Sequence, residues 1–146
     1  MFLGEHQHTL DDKGRVILPA RFRDRLAAGL VLAPGQDRCI DVYPATNFER
    51  RIEELRTVPR EGREARRYLR ILLAGAHQDT PDGQGRVTVP PRLREYAGLD
   101  RDLTVVGADE KVEIWDRENW ERYREEAEAA FAGLDAPFDV PAGAGS

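Results

Sequence analysis

Two short segments of the sequence combine aspartate, glycine and arginine at the same spacing. Residues 11–15 read Asp-Asp-Lys-Gly-Arg, and residues 82–86 read Asp-Gly-Gln-Gly-Arg. An aspartate caps nearby backbone amides and a glycine accepts a positive φ, so each segment predicts a tight turn carrying an arginine. A guanidinium on a rigid turn loses little entropy on binding and can grip O6 and N7 of guanine together, worth about 1–3 kcal/mol of base discrimination. These turns therefore favour nucleic-acid recognition.

The two turns are not expected to contribute equally. Lys13 adds a second positive charge beside Arg15, whereas Gln84 stands at the matching position of the second turn. For Arg86, pairing with the aspartate of its own turn is the preferred interpretation. The same structural role is the alternative for Arg15. We predict DNA contacts from Lys13, Gly14, Arg15 and Arg21, with Arg86 as a secondary candidate, and turn-forming roles for Asp11, Asp82 and Gly85.

Residue types that support catalysis or metal binding lack the partners they need. His6 and His8 could offer two ligands from one strand face, but no cysteine or carboxylate follows at a useful spacing. Cys39, the single cysteine, is expected to be a small buried residue. No carboxylate is expected in an apolar setting that would move its pKa toward a catalytic range. We predict a protein that is not an enzyme and needs no metal or cofactor.

The charge of the chain is distributed unevenly. The formal net charge is −5, the wrong sign for a protein that coats nucleic acid. Up to residue 76, however, 14 basic residues face 11 acidic ones, while from residue 77 onward 8 face 16. Arginine, which supplies planar two-pronged donors, dominates the basic residues. We therefore expect the first half to make any contact with nucleic acid.

Hydropathy and cysteine content limit where the protein can reside. The longest apolar run lies near residues 72–76 and is far shorter than the roughly 20 residues of a membrane span. The N-terminus lacks the basic start and apolar stretch of a signal peptide. A single cysteine forms no internal disulfide and fits a reducing compartment. We expect a soluble, cytoplasmic protein with no membrane partner.

The turns that must position the arginines belong to an internal repeat. Residues 11–23 return as residues 82–94 with seven of thirteen positions identical and no gap. Residues 28–30 echo 97–99, and residues 40–43 resemble 112–115 at an offset of 72. The repeat therefore covers units of about 45 residues, too few and too long for a solenoid. It favours an intramolecular pseudo-dimer.

Each unit predicts the same order of elements. A short β-branched strand follows each turn and ends at a proline, after which a short helix begins. Two further strands complete each unit. The predicted strands are residues 16–18, 30–32 and 40–43 in the first unit and 87–89, 103–106 and 112–115 in the second; the short helices are 21–28 and 92–97.

Longer helices are predicted after each unit. Residues 46–49 have the spacing of a capping box, with Phe48, Ile52 and Leu55 on one face. A second helix over residues 61–74 carries an arginine-rich outer face, interpreted as solvated and supported by i,i+3 pairs with Glu61 and Glu64. After the second unit, Asp116 is predicted to cap a helix that carries Trp120, Tyr123, Ala127 and Phe131.

The doubled Asp-x-x-Gly-Arg motif, each copy followed by a β-branched strand and a proline, resembles the MraZ family of bacterial transcriptional regulators. The Phe2-Leu3-Gly4 start and the Ala-Gly-Leu echoes add to the resemblance, which runs from Met1 to about Phe131. Each unit resembles a SpoVT-AbrB domain, a swapped-hairpin DNA-binding module. The resemblance implies an α+β, mainly β fold in which two tandem units form one pseudo-twofold β-barrel with flanking helices. The implied divisions are residues 5–48 for domain 1, 49–76 for connecting helices, 77–120 for domain 2, 121–135 for a C-terminal helix and 136–146 for a flexible tail.

The same resemblance implies a function and partners. A MraZ-like protein would be a cytoplasmic, nucleoid-associated regulator that binds repeated boxes in double-stranded promoter DNA and represses its own division and cell-wall gene cluster. Its chains would assemble into a homo-oligomeric, octamer-like ring without a cofactor. Two alternatives stay open: an AbrB-type antitoxin that uses its tail on a toxin, and a non-catalytic assembly or adaptor module whose basic loops are only turns.

Overall fold

A computed structural model describes residues 1–135 as an α+β protein with eight strands and five α-helices. The predicted tail, residues 136–146, lies outside the described residues. The strands are β1 Glu5–Thr9, β2 Arg15–Ile17, β3 Leu30–Pro34, β4 Ile40–Pro44, β5 His77–Asp79, β6 Arg86–Thr88, β7 Asp102–Ala108 and β8 Lys111–Asp116. The helices are α1 Ala20–Leu26, α2 Ala45–Arg56, α3 Arg63–Gly75, α4 Pro91–Ala97 and α5 Arg117–Ala132.

The strands form two separate antiparallel sheets. Six strands pair in the order β1-β7-β8-β4-β3-β5, and β2 pairs with β6, with one further bridge from Val16 of β2 to Leu10. Among the described residues the six-stranded ladder ends at β1 and β5, so the strands do not form the closed barrel that the resemblance implies. The physical reason is that β2 and β6 leave the large sheet to pair with each other. We call this two-stranded sheet the ribbon.

Pairing between the two repeat units holds the sheets together. In the ribbon, Val16 of the first unit stands opposite Val87 of the second. In the large sheet, β1 pairs with β7 of the other unit and β5 pairs with β3 of the other unit. The central contact of β4 with β8 also joins the units. The two repeats therefore share one sheet.

Prolines set the entry into three helices. Pro19, Pro44 and Pro90 precede α1, α2 and α4 with ψ near 140°, and each fixes φ close to the helical value. The predicted capping box at residues 46–49 is therefore wrong: the N-cap is Pro44, two residues before Thr46, and it makes no side-chain cap hydrogen bond. The predicted cap at Asp116 is confirmed, because its carboxylate accepts from the backbone N of Asn119 at 3.2 Å.

Two apolar clusters lie on the large sheet. The main cluster joins side chains of both repeat units, including Leu18, Leu32, Val89, Leu103 and Ile114, each with 0% exposure. The second cluster packs α2 and α3 on β3. Burial of the short strands of both units in one cluster means that the units stabilise each other.

We expect Leu103→Ala to lower the free energy of unfolding by about 2–5 kcal/mol, because Leu103 is fully buried and truncation leaves a cavity. Urea denaturation followed by circular dichroism measures the change. Leu73→Ala is the matched control, since Leu73 is 49% exposed in α3 and its truncation should cost less than about 1 kcal/mol. Equal losses in both variants would contradict this description of the core.

Candidate nucleic-acid interface

The first arginine turn, residues 11–15, is organised by one carboxylate. Asp11 Oδ1 accepts from the backbone amides of Lys13 and Arg15 at 2.9 and 2.8 Å. Its Oδ2 accepts from Nε of Arg15 at 2.8 Å. The backbone closes the turn through Asp11 N to Arg15 O and Gly14 N to Asp11 O. Three bonds to one side chain fix both the loop and its arginine.

The second turn, residues 82–86, repeats this geometry. Asp82 accepts from the amides of Gln84 and Arg86, both at 2.9 Å, and from Arg86 Nε at 2.7 Å. The arginine side chains of both turns are 27% exposed. The two turns therefore present their guanidinium groups in the same way, and geometry alone does not favour the first.

Each arginine keeps the outer part of its guanidinium available. The aspartate binds only Nε, and within residues 1–135 neither Nη of Arg15 nor of Arg86 donates a hydrogen bond to the protein. The Asp-Arg contact therefore orients the side chain, and the pair of Nη groups can still grip two acceptors. This is the geometry required for a two-pronged contact with a base or a phosphate.

Hydrogen bonds from the loop itself lower the pKa of both aspartates. For Asp11 the largest cause is the backbone amide of Arg15, and the Arg15 side chain adds to it. The corresponding bonds from Arg86 lower the pKa of Asp82 to about 2. Both carboxylates are thus charged at neutral pH, as their role as acceptors requires.

The glycines of the turns are required for two reasons. Gly14 and Gly85 have φ of +76° and +79°, which residues with a Cβ rarely adopt. A Cβ on Gly14 would lie 2.9 Å from Cζ of Arg94, and one on Gly85 would lie 2.6 Å from Nε of Arg23. Each turn is therefore packed against an arginine from a helix of the other repeat unit.

This packing changes the expected surroundings of Arg15. The sequence places Arg21, Arg23 and Arg25 soon after it, but Arg23 lies on the second turn and donates to the carbonyl of Leu18 at 3.0 Å. Arg25 instead covers the ring of Phe2 at 4.1 Å. Arg21 is exposed in the first turn of α1.

Arg94 belongs to the second repeat unit, and its contact with Gly14 was not expected. It occupies the position in the repeat that Arg23 holds in the first unit. The alignment of the two repeats shows that Arg23 and Arg94 are equivalent. It does not show that each of them packs on the turn of the other unit.

The ribbon displays both turns on one surface. Val16 and Val87 point inward and are 1% and 2% exposed, so alternation directs their strand neighbours outward. The outward residues are Arg15, Ile17, Arg86 and Thr88, paired as Arg15 with Thr88 and Ile17 with Arg86. A two-stranded ribbon is one of the elements that fit the DNA major groove. The candidate interface is therefore this outward face with its two flanking turns.

The two turns differ less in charge than the sequence analysis predicted. The first turn contains two acids and two bases, and the second contains one acid and one base. Both are formally neutral. Lys13 is exposed, so the first turn carries one additional mobile cation, which Asp12 offsets.

Other candidate chemistry lies away from the ribbon face. His6 packs edge-on against Phe22 with ring centroids 5.1 Å apart, and burial lowers the pKa of His8. Cys39 is buried, as predicted, and burial raises the pKa of its thiol. Among residues 1–135, no helix has the length and apolar composition of a membrane span.

One carboxylate, Asp41, is buried, although its surroundings are charged and not apolar. Asp41 is 5% exposed, and desolvation raises its pKa. Lys111 Nζ lies 3.0 Å from Asp41 and 3.4 Å from Glu113. Burial lowers the pKa of Lys111, but the neighbouring carboxylates outweigh it and the net shift is upward. Lys111 therefore compensates the negative charges of Asp41 and Glu113. Cys39, Asp41 and Glu113 also have potential metal-ligand atoms within 4.8 Å of one another.

Known proteins resemble this chain over most of its length. A family model described as "MraZ protein, putative antitoxin-like" matches residues 1–71 and again 72–137. A protein named Transcriptional regulator MraZ from Kineococcus radiotolerans is 57% identical over 132 residues, covering 90% of this chain and 92% of that protein. Proteins of the same name from Micrococcus luteus and Salinispora arenicola are 57% and 55% identical over 135 residues, covering 92% of this chain and 94% and 95% of theirs.

The pKa of Asp82 provides a test of the turn geometry. Because its folded pKa lies below the ordinary value of 3.8, the turn is stabilised above about pH 4 and loses that stability as pH falls through about 2. A ¹³C NMR titration of the carboxyl resonances should give a midpoint near 2 for Asp82 and a lowered midpoint for Asp11. Midpoints near 3.8 would show that the carboxylates do not hold the turns.

Two glycines of the second turn form a matched pair. Gly85→Ala should lower the free energy of unfolding by about 1–2 kcal/mol or more, because it forces an alanine into a left-handed conformation against Arg23. Gly83→Ala should be close to neutral, since a Cβ at Gly83 meets no atom within 4 Å. Chemical denaturation measures both, and a neutral Gly85→Ala would refute the close packing.

Proposed function

Because the chain belongs to the MraZ family, whose curated relatives are named transcriptional regulators, we propose that it regulates transcription by binding double-stranded promoter DNA. The observation that carries the proposal is the pair of aspartate-held arginines on one face of the ribbon. It is not proposed to be an enzyme, because regulation by occupying a promoter requires no reaction.

The proposed contact residues follow from the exposure and orientation of the turns. Arg15 is assigned to base edges, with the exposed Lys13 close to the phosphates. Gly14 is buried, and its N and O are both hydrogen-bonded within the protein, so it is assigned to holding the turn and not to a DNA contact. Arg86 is also assigned to base edges, since its hydrogen bonds and the 27% exposure of its side chain match those of Arg15. Arg21 is exposed on α1 and is assigned to the DNA backbone. Asp11, Asp82 and Gly85 hold the turns.

We propose that the two repeat units, residues 5–48 and 77–120, are SpoVT-AbrB domains related by a pseudo-twofold axis. The strand order β1-β7-β8-β4-β3-β5 supports this, because exchanging the units reverses the order onto itself. The matching geometry of the two turns supports it as well. Residues 49–76 would connect the domains. The C-terminal segment, residues 121–135, would contain most of α5, which begins earlier, at Arg117, and ends at Ala132.

Several chains acting together would convert weak contacts into tight binding. One chain offers few phosphate contacts, so its affinity should be low and salt-dependent. A ring of identical chains gains about 10²–10⁴ in avidity when its loops reach several boxes at once. The net charge of −5 would suppress binding to unrelated DNA. The proposed target is a set of repeated boxes upstream of its own division and cell-wall gene cluster. Bound there, the protein would be associated with the nucleoid and would repress transcription by excluding RNA polymerase.

The test is binding to DNA from upstream of the protein's own gene, measured by fluorescence anisotropy. Arg15→Ala should weaken binding at least about fivefold, because loss of one two-pronged contact costs about 1–3 kcal/mol per site. Arg86→Ala should also weaken it. Arg50→Ala is the matched control: this arginine lies on α2, pairs with Glu110 at 3.4 Å and should leave affinity unchanged. Unchanged binding by both turn variants would overturn the site assignment.

Two other functions are outcomes of the same experiment. Absence of binding to any repeated upstream box by the wild-type chain would favour an adaptor module whose turns are only structural. If the protein binds operator DNA more tightly when a toxin protein is added, it would instead be an antitoxin. The description of the family model also contains the words "putative antitoxin-like".

A further inference from the structure

The end of α5 extends an apolar stripe beyond the body of the protein. Trp120 and Tyr123 pack against Trp115, with ring centroids 5.2 and 5.0 Å away. Ala127, Phe131 and Leu134 continue the same stripe at helical spacing. Phe131 is 77% exposed and Leu134 is 53% exposed. The sequence placed Phe131 on the apolar face of this helix, but nothing in the described chain covers it.

The uncovered part of α5 is acidic. Glu125, Glu126 and Glu128 lie in residues 125–132, which contain no basic residue, although Glu128 Oε1 lies 3.4 Å from Nε of Arg124, one turn earlier. Glu126 and Glu128 flank the apolar stripe on its two sides when the helix is viewed along its axis. Such a surface fits an apolar groove with a basic rim.

A groove of that kind lies along α3. Its floor is a cavity of about 250 Å³ whose apolar and aromatic lining is Pro34, Tyr68, Ile71, Leu72 and Tyr96. Arg67 and one carboxylate, Glu64, also line it. A second depression beside it shares Ile71 and is lined by arginines, Arg63, Arg66, Arg67 and Arg70. We call the two together the α3 groove.

The arginines of the α3 groove are not neutralised by the chain itself. Among the described residues, none of the four forms an ion pair, so the predicted i,i+3 pairs with Glu61 and Glu64 are absent. Ile71 is 57% exposed between them. An exposed isoleucine among unpaired arginines is the surface that an acidic, aromatic helix would cover.

We propose that the acidic end of α5 in one copy of this chain docks in the α3 groove of a second copy. Phe131 would enter the apolar floor, and Glu126 and Glu128 would face Arg67 and Arg70. This is helix-in-groove recognition with complementary charge at its rim. The inference rests on the proposed assembly of several chains and names the surfaces that join them.

The positions of the two surfaces make the contact head-to-tail. α3 packs on β3, whereas α5 packs on β7 and β8, and β4 and β8 separate β3 from β7 in the sheet. One chain therefore offers its α5 end and its α3 groove on separate parts of its surface, so that two neighbours can bind it at once. A contact between two different surfaces propagates from copy to copy and closes into a ring when the rotation permits.

Charge reversal tests this contact on the full chain, with mass measured by size-exclusion chromatography and light scattering. The wild type should have a mass several times 16.5 kDa. The groove variant, Arg67→Glu with Arg70→Glu, and the helix variant, Glu126→Arg with Glu128→Arg, should each fall to the mass of one chain. Mixing the two variants should restore assembly, because each then meets a partner of opposite charge. All four changes in one chain should restore it too, which also excludes misfolding as the cause.

A matched control and the DNA assay separate this inference from the proposed function. Arg50→Glu with Arg56→Glu on α2 should leave the mass unchanged. Arg15→Ala should keep the assembled mass while losing DNA affinity. A monomeric wild type at tens of micromolar, or reversal variants that stay assembled, would overturn the docking. A third outcome would also overturn the docking: deletion of residues 136–146 abolishes assembly, whereas the helix variant still assembles. The contact would then be made by residues 136–146 and not by α5.

Discussion

The pairing of β2 with β6 is the constraint on which the candidate interface depends. Through it the backbone N of Val89 donates to Gly14 O at 2.8 Å, and Leu18 N donates to Gly85 O at 2.9 Å. Each turn is thus fixed at its glycine by a strand from the other repeat unit, while its own aspartate holds the arginine. The stiffness of both turns follows from the pairing, and so does their position on one face. A single unit would have neither.

The sequence predicted the local parts of this arrangement well because they depend on residues close together in the chain. The doubled motif predicted both turns, the prolines that follow β2 and β6, and the contact of Arg86 with its own aspartate. For Arg15 the same contact was only the alternative, and the structure has it in both turns. Exchange between units could not be predicted in the same way, since Arg23 packs on Gly85 and Arg94 on Gly14 across about 60–80 residues of sequence. The burial of Asp41 was not predicted, because it depends on partners far away in the sequence: β4 pairs with β3 on one side and with β8 on the other, and Lys111 compensates the charge of Asp41.

The uneven charge of the chain has two physical roles in this account. On the ribbon face, each arginine is held through Nε by the aspartate of its own turn, and its Nη groups stay available. A formally neutral turn can therefore still recognise a base. Over longer distances, the acidic end of α5 and the arginines of α3 would attract copies of the chain to each other in the proposed assembly. An acidic regulator would then bind DNA specifically, because its affinity would depend on the number of oriented arginines in the assembly and not on its overall charge.

The central claim is that Arg15 grips guanine bases inside the promoter boxes, and protection of guanine N7 from dimethyl sulfate tests it most directly. The wild-type protein should protect one or more guanines in every repeated box. Arg15→Lys should lose that protection even at concentrations that restore occupancy, because lysine keeps the charge but lacks the planar fork. Protection that persists unchanged in Arg15→Lys, or DNA bound by the wild type with every guanine N7 still reactive, would contradict the account.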